Sequence, residues 1–188
     1  MRLFIAIQLD DSMKEALAAV QNEFRAQGIR GNYTPVENMH LTLAFIGEYS
    51  DPGEVLEVME EADFAPFRLE YSGIGSFDAL WWAGIRENEP LKMLVRKLRH
   101  ALAEAGIPYD RKKFRPHITL IRKPVIRGRH GSAAAGLTDF QWADPAQFAG
   151  QASSPVSMPV RRISLMLSTR GKHGMIYTEL GSVEANRD

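Results

Sequence analysis

The chain opens on an apolar run, Leu3-Phe4-Ile5-Ala6-Ile7, which predicts a buried strand. Met13, Ala16, Leu17, Val20 and Phe24 follow at helical spacing and predict an amphipathic helix over roughly Ser12 to Gln27. Ser12 and Glu15 stand at capping-box spacing, and Gly28 suits the position just past the helix end. The pattern then returns. Leu80-Trp81-Trp82-Ala83-Gly84-Ile85 reads as a strand, and Leu91, Leu94, Val95, Leu98 and Leu102 mark a helix over roughly Pro90 to Ala105. Pro90 suits its first position and Gly106 its end. Each helix leads to a short alternating segment, His40-Leu41-Thr42-Leu43 in the first half and His117-Ile118-Thr119-Leu120 in the second. Period-two alternation puts His40 and Thr42 on one strand face, and His117 and Thr119 on another, with the aliphatic residues pointing away.

The spacings of the two halves agree. Ile7 to Gly28 and Ile85 to Gly106 are both 21 positions, while Gly28 to His40 is 12 and Gly106 to His117 is 11. A duplicated β-α-β frame follows: an α+β fold of two halves related by a pseudo-two-fold, with antiparallel or mixed sheets around a central cleft. One bilobal domain over residues 1–188 is expected, with the two histidines as partners across the cleft. Elsewhere, Asp51-Pro52-Gly53-Glu54 starts a helix through Val55, Leu56, Val58, Met59 and Ala62. Phe67 to Ile74 reads as a strand, and Arg161 to Ser168 and Met175 to Leu180 as strands joined by a loop over Thr169 to Gly174. Lys123 to Pro159 reads as a long loop, with a short element at Phe140-Gln141-Trp142.

Composition narrows the function classes. Lys plus Arg and Asp plus Glu are each 23, so the net charge of +0 argues against coating long nucleic acid by bulk charge, while leaving room for a local basic patch. There is no cysteine, which excludes disulfide frameworks and thiolate metal sites. Asp10-Asp11 directly after the first apolar run does not fit a signal peptide, and no window is long enough to span a bilayer. A soluble, cytoplasmic protein without membrane contact is expected.

An imidazole beside a hydroxyl, presented twice, suits acid–base work on an anion. Displacement at phosphorus needs a proton taken on the entry side and one given on the exit side. Two histidines facing one phosphate supply both, one neutral and one protonated. Thr42 and Thr119 would donate to the non-bridging oxygens. Arg122, three positions past Thr119, would cap the phosphate charge or reach a neighbouring one. A cyclic ester is the natural substrate, since ring strain lowers the barrier and no metal is needed to activate water. Asp10, Asp11, Asp51 and Asp110 sit at caps and turns, so no metal or other cofactor is expected. Phe4 has two readings, a base-stacking platform on the cleft or core packing. Trp81 and Trp82 point to opposite faces, one into the core. Arg111, Lys112, Lys113 and Arg115 form a basic run before the second motif that could draw RNA to the cleft. Arg127-Gly128-Arg129-His130-Gly131 and the Arg170, Lys172, His173 loop are further basic segments, with solvation the default for each. His100 reads as solvated.

The paired His-x-Thr segments resemble the two-histidine phosphoesterase superfamily. The flanks Arg2-Leu3-Phe4-Ile5-Ala6-Ile7, Glu37-Asn38-Met39-His40 through Phe45-Ile46-Gly47-Glu48, and Arg115-Pro116-His117 resemble its RNA 2′,3′-cyclic phosphodiesterase branch, also called the 2′-5′ RNA ligase family. The resemblance covers most of residues 1 to 123 and resumes at about 160 to 181. It implies a bilobal α+β fold and metal-free hydrolysis of a terminal 2′,3′-cyclic phosphate to a 2′-phosphate. Carried over, His40 is the general acid on the 3′ oxygen and His117 the general base on water, with Thr42, Thr119 and Arg122 on the phosphate. The implied partners are RNA ends or nucleoside 2′,3′-cyclic phosphates, taken by a monomer. Ligation of RNA halves through a 2′-5′ linkage, and binding of RNA ends without turnover, are the alternatives. The 123–159 stretch departs from the family in length, which bears on substrate size.

Overall fold

Two antiparallel sheets hold the two motifs. A computed structural model describes residues 1–77, 79–126 and 156–186. Its strands are β1 (Arg2–Gln8), β2 (Ile29–Tyr33), β3 (His40–Glu48), β4 (Phe67–Phe77), β5 (Leu80–Ile85), β6 (His117–Ile126), β7 (Ser157–Val160), β8 (Arg162–Gly171) and β9 (Gly174–Glu184). Its helices are α1 (Asp11–Ala26), α2 (Pro52–Glu61) and α3 (Glu89–Glu104), with a 3₁₀ turn at Val36–Asn38. The first sheet has the order β3-β1-β8-β9 and the second β2-β6-β5-β4-β7. Set side by side, β3-β1-β8-β9 matches β6-β5-β4-β7, with β2 added beside β6. That match is the pseudo-two-fold expected from the repeat.

The halves interlock. Helix α1 packs against β2, β6 and β7 of the second sheet, whereas α3 packs against β3 of the first. Phe24 of α1 meets Trp81 of β5 edge-on at 5.4 Å, and both are fully buried. Each helix therefore supports the motif strand of the other half, and one apolar core runs beneath both sheets. The glycines closing α1 and α3, Gly28 and Gly106, take φ of +78° and +72°, the left-handed conformation that a side chain would strain.

Local chemistry corrects several expectations. Asp10, two residues before the Ser12 of the expected box, caps α1 by accepting from Met13 N at 2.8 Å. Asn88 caps α3 in the same way through Leu91 N at 2.9 Å. The identical 21-residue spacing does not pair structural equivalents. Ala6 lies opposite Thr42 and Trp82 opposite Thr119, so β5 follows β1 by 76 positions while the helix caps and closing glycines are 78 apart. The strand-to-helix connection is two residues longer in the second half. Strand β4 continues past Ile74 to Phe77, and the β8–β9 pairing runs to Gly171↔Gly174, shrinking the expected loop to Lys172-His173. The 123–159 stretch is not all loop, since β6 reaches Ile126 and β7 starts at Ser157. Its centre, with Phe140-Gln141-Trp142 and the basic segment around His130, lies outside the described residues.

Strand β2 went unpredicted because Ile29-Arg30-Gly31-Asn32-Tyr33 has little apolar content. What holds it is pairing with β6, reinforced by Gln21 of α1, which is 1% exposed. The Gln21 Nε2 amide donates to Thr34 O and Leu120 O, both at 2.8 Å, and Thr34 N also donates to Leu120 O at 2.9 Å. Replacing Gln21 with Ala takes this donor from Thr34 O and leaves Leu120 O with Thr34 N alone. A loss of about 1–3 kcal/mol is expected, read as a midpoint shift in urea unfolding. A variant as stable as the parent would show that water replaces the amide.

Candidate active site

A β-bulge shapes each motif strand. In the β1–β3 pairing Ile5 faces Ala44 and Ala6 faces Thr42, so Leu43 is the extra residue. In the β5–β6 pairing Trp81 faces Ile121 and Trp82 faces Thr119, so Leu120 is extra. Two consecutive residues are consequently buried in each strand, Leu43 with Ala44 and Leu120 with Ile121. The alternation then resumes one step out of phase. That shift puts Arg122 on the same face as His117 and Thr119, which strict alternation would forbid. It also puts Phe45, the matching position, on the face of His40 and Thr42.

The two imidazoles are held alike. His40 Nδ1 lies 2.7 Å from Asn38 O, and His117 Nδ1 lies 2.7 Å from Arg115 O. A carbonyl can only accept, so in both rings Nδ1 carries the proton and the neutral Nε2 is left as an acceptor. His40 Nε2 lies 3.1 Å from Thr42 Oγ1. Asn38 is itself anchored, its Nδ2 donating to Met175 O at 2.8 Å. Around His40 stand Phe4 at 4.9 Å and Tyr177, edge-on, at 5.2 Å. Around His117 stand Phe77, edge-on, at 5.3 Å and Trp82 at 6.2 Å.

Strands β3 and β6 lie against each other, and a cavity of about 450 Å³ is lined by Thr42 from one sheet and His117 from the other. Burial pushes the His40 imidazole below its ordinary value; the Asn38 carbonyl opposes this, and the positive charges of Arg122 and His117 add to the depression. His40 thus senses both cationic groups of the opposite motif. Among the described residues no three of His, Asp and Glu gather as metal ligands.

The structure brings His40, Thr42, His117, Thr119 and Arg122 to facing strands. Phe4 differs from its base-stacking expectation: it is 3% exposed, packed with Ala6 and Met166 beneath His40, and has little ring face free for a base. Trp81 is the core tryptophan and Trp82 the one beside the cleft, as expected from their adjacency. His100 is exposed. Tyr177, Phe77 and Asn38 were missed by sequence reasoning. Their relation to the histidines arises from pairings across the fold, and no local pattern carries it.

A model of the 2′-5′ RNA ligase superfamily matches residues 10–172. The RNA 2′,3′-cyclic phosphodiesterase of Thermotoga maritima is 31% identical over 190 aligned residues, covering 96% of this chain and 93% of that protein. The protein of the same name from Thermus thermophilus is 31% identical, covering 93% of each. Among solved structures, TT0787 of Thermus thermophilus superposes with a TM-score of 0.74 at 28% identity, over 98% of this chain and 97% of the other. The E. coli LigT complex with 3′-AMP, at 23% identity, shares the fold with a TM-score of 0.75, over 99% of this chain and 98% of that one.

Two features can be read by NMR. Both histidines should show the Nδ1–H tautomer in their ¹⁵N shifts when neutral. The His40 titration midpoint should lie below the ordinary histidine value and rise in Arg122→Ala, because removing a nearby cation favours the charged ring. An Nε2–H tautomer, or a midpoint indifferent to Arg122, would contradict the geometry.

Proposed function

The chain belongs to the 2′-5′ RNA ligase superfamily, and we propose that it is an RNA 2′,3′-cyclic phosphodiesterase, opening a terminal cyclic phosphate to a 2′-phosphomonoester without a metal. The observation that carries this reading is the matched pair of imidazoles, each with Nδ1 bonded to the carbonyl two residues before it. The relatives over 90% of whose length aligns carry that activity in their names.

In the proposed reaction His117 Nε2 takes a proton from water as the oxygen attacks phosphorus. The bond from phosphorus to the 3′ oxygen breaks on the opposite side, and His40 delivers a proton from Nε2 to that oxygen. The phosphate stays on the 2′ oxygen. Each cycle leaves His117 protonated and His40 neutral, and exchange with solvent resets them. Thr42 and Thr119 donate to non-bridging oxygens, and Arg122 balances the charge that develops there. Phe4 positions the His40 ring from beneath.

The depressed His40 favours this division of roles. A weaker base is a stronger acid once protonated, which suits protonation of an alkoxide leaving group. Before substrate binds, burial and the Arg122 charge work against its protonation. An anionic phosphate between the motifs offsets that charge and draws the proton on.

No helix among the described residues is long and apolar enough to cross a membrane. The cytoplasm is the proposed compartment. A monomer is the proposed working unit, because both motifs come from one chain.

The test is incubation with adenosine 2′,3′-cyclic phosphate followed by ³¹P NMR. Adenosine 2′-phosphate is the expected product, undiminished by EDTA; adenosine 3′-phosphate or no turnover would overturn the reading. Adding an RNA with a 5′-hydroxyl end separates hydrolysis from ligation. His40→Ala and His117→Ala should each lower kcat by about 10²-fold or more. The dependence of kcat/KM on pH should be bell-shaped, since one ring must be charged and the other neutral. One limb reports the His40 ring, and that limb should move to higher pH when Arg122 is replaced.

A further inference from the structure

The first sheet curls until its two edges meet. Its order is β3-β1-β8-β9, so β3 and β9 are opposite edges. Along β1, His40 pairs with Gln8 at one end, while Thr178 lies in line with Leu3 near the other, through Leu167. In a flat sheet those positions would stand about 20 Å apart, counting both the strand spacing and the rise along β1. The neighbouring Tyr177 nevertheless lies edge-on to the His40 ring, with 5.2 Å between centroids. Asn38, two residues before His40, donates from Nδ2 to Met175 O of β9 at 2.8 Å.

Bulges supply the curl. The β8–β9 register shifts between Leu165 and Met166, which face Gly181 and Glu179, so Leu180 is the extra residue. The β1–β3 pairing shifts twice, between Leu3 and Phe4 and between Ile5 and Ala6. Each shift adds twist to the strand that carries it. Inside the curl lies a small apolar cluster of Phe4, Ala6 and Met166, with Phe45 and Tyr177 packed on it. Tyr177 also meets Phe4 edge-on at 5.1 Å, so one ring touches both the imidazole and the ring beneath it.

His40 is therefore held from β9 at two points. The backbone carbonyl of Asn38 accepts from His40 Nδ1, and the side-chain amide of the same residue is tied to Met175 O. A carbonyl so tethered keeps one direction. Tyr177 stands across the imidazole and limits its turning about the Cβ–Cγ bond. The second half is built otherwise. There β7 takes the place of β9 and pairs with Phe67 to Glu70, at the other end of β4 from Phe77, the ring beside His117. The carbonyl on His117 Nδ1 comes from Arg115, whose guanidinium lies 5.6 Å over Phe77.

We propose that Asn38 and Tyr177 are positioning residues for His40, through which the β8–β9 hairpin aims the acid at the 3′ oxygen. The phosphodiesterase reading supplies the destination of the proton; the hold on the ring stands on geometry alone. Proton transfer to a departing oxygen is sensitive to distance and angle, and a displacement of about 1 Å can cost about 10²-fold in rate. Both side chains act through His40, so their loss should be felt in kcat and not in KM.

The first readout is the ¹⁵N spectrum of the free enzyme. In Asn38→Ala and in Tyr177→Leu, neutral His40 should populate both tautomers, while His117 keeps its Nδ1–H form. The second is turnover of adenosine 2′,3′-cyclic phosphate beside its analogue with sulfur as the bridging 3′ atom, whose thiolate leaves without a proton. Each variant should lose about tenfold in kcat on the oxygen substrate, with KM within about twofold of the parent. On the sulfur substrate each should match the parent within about twofold. Tyr177→Phe, which keeps the ring, should recover most of the rate that Tyr177→Leu loses. A single His40 tautomer in both variants overturns the hold on the ring. Equal loss on both substrates, or a loss carried by KM, overturns the role in acid delivery. Turnover of neither substrate by the parent marks failure of the phosphodiesterase reading, and the role in delivery falls with it; the tautomers, which need no substrate, separate that failure from loss of the hold.

Discussion

The hydrogen bond from each histidine Nδ1 to the carbonyl two residues before it is the constraint on which the site depends. It fixes the tautomer and the ring orientation together, at 2.7 Å in both motifs. Without it an imidazole could turn either nitrogen toward the cleft, and a pair of histidines would have no defined direction for proton traffic. The carbonyls are in turn placed by local backbone. The 3₁₀ turn Val36–Asn38 presents Asn38 O, and its side chain is tied to β9 through Met175 O. A proton path across one phosphorus thus begins in the backbone ahead of each strand.

Duplication supplies the two imidazoles, and divergence between the copies supplies direction. Interlocked packing makes each half responsible for the other's motif. Gln21 of α1 holds the carbonyl of Leu120 in the second motif strand, while Arg99 of α3 braces the segment that reaches Phe45 in the first. Damage to one half is therefore felt in both. The halves differ where the chemistry needs it, with Arg122 on one flank and Phe45 on the other. Burial of the His40 ring, together with Arg122 opposite, holds it below its ordinary value. A perfectly symmetric site would not distinguish the attacking oxygen from the leaving one.

Much of this was legible in the chain because it rests on local periodicity. The buried strands, both long helices and the two His-x-Thr faces follow from apolar spacing alone. Arg122 was singled out by its distance from Thr119, yet strict alternation would have turned it away from the phosphate. The bulge at Leu120 that rescues it is recorded in the sequence only as two consecutive buried positions, which a buried strand end would also produce. The side of Phe4 was undecidable for a similar reason, since every residue of Leu3–Ile7 is apolar and either face could be core. Strand β2 is polar and held by its partner, so no pattern announces it. Tyr177, Phe77 and Asn38 reach the histidines through pairings between distant segments. The equal 21-residue spacings revealed a true duplication but matched the wrong residues, because the second strand-to-helix connection is two residues longer.

The central claim is that two imidazoles act on opposite sides of one phosphorus, His117 on the entering oxygen and His40 on the leaving one. A cyclic substrate with sulfur in place of the bridging 3′ oxygen tests it most directly, because a thiolate departs without a proton. The account predicts that this substrate restores His40→Ala to within about tenfold of the parent enzyme and leaves His117→Ala as impaired as before. Equal loss for His40→Ala on both substrates, or rescue of His117→Ala instead, would contradict it.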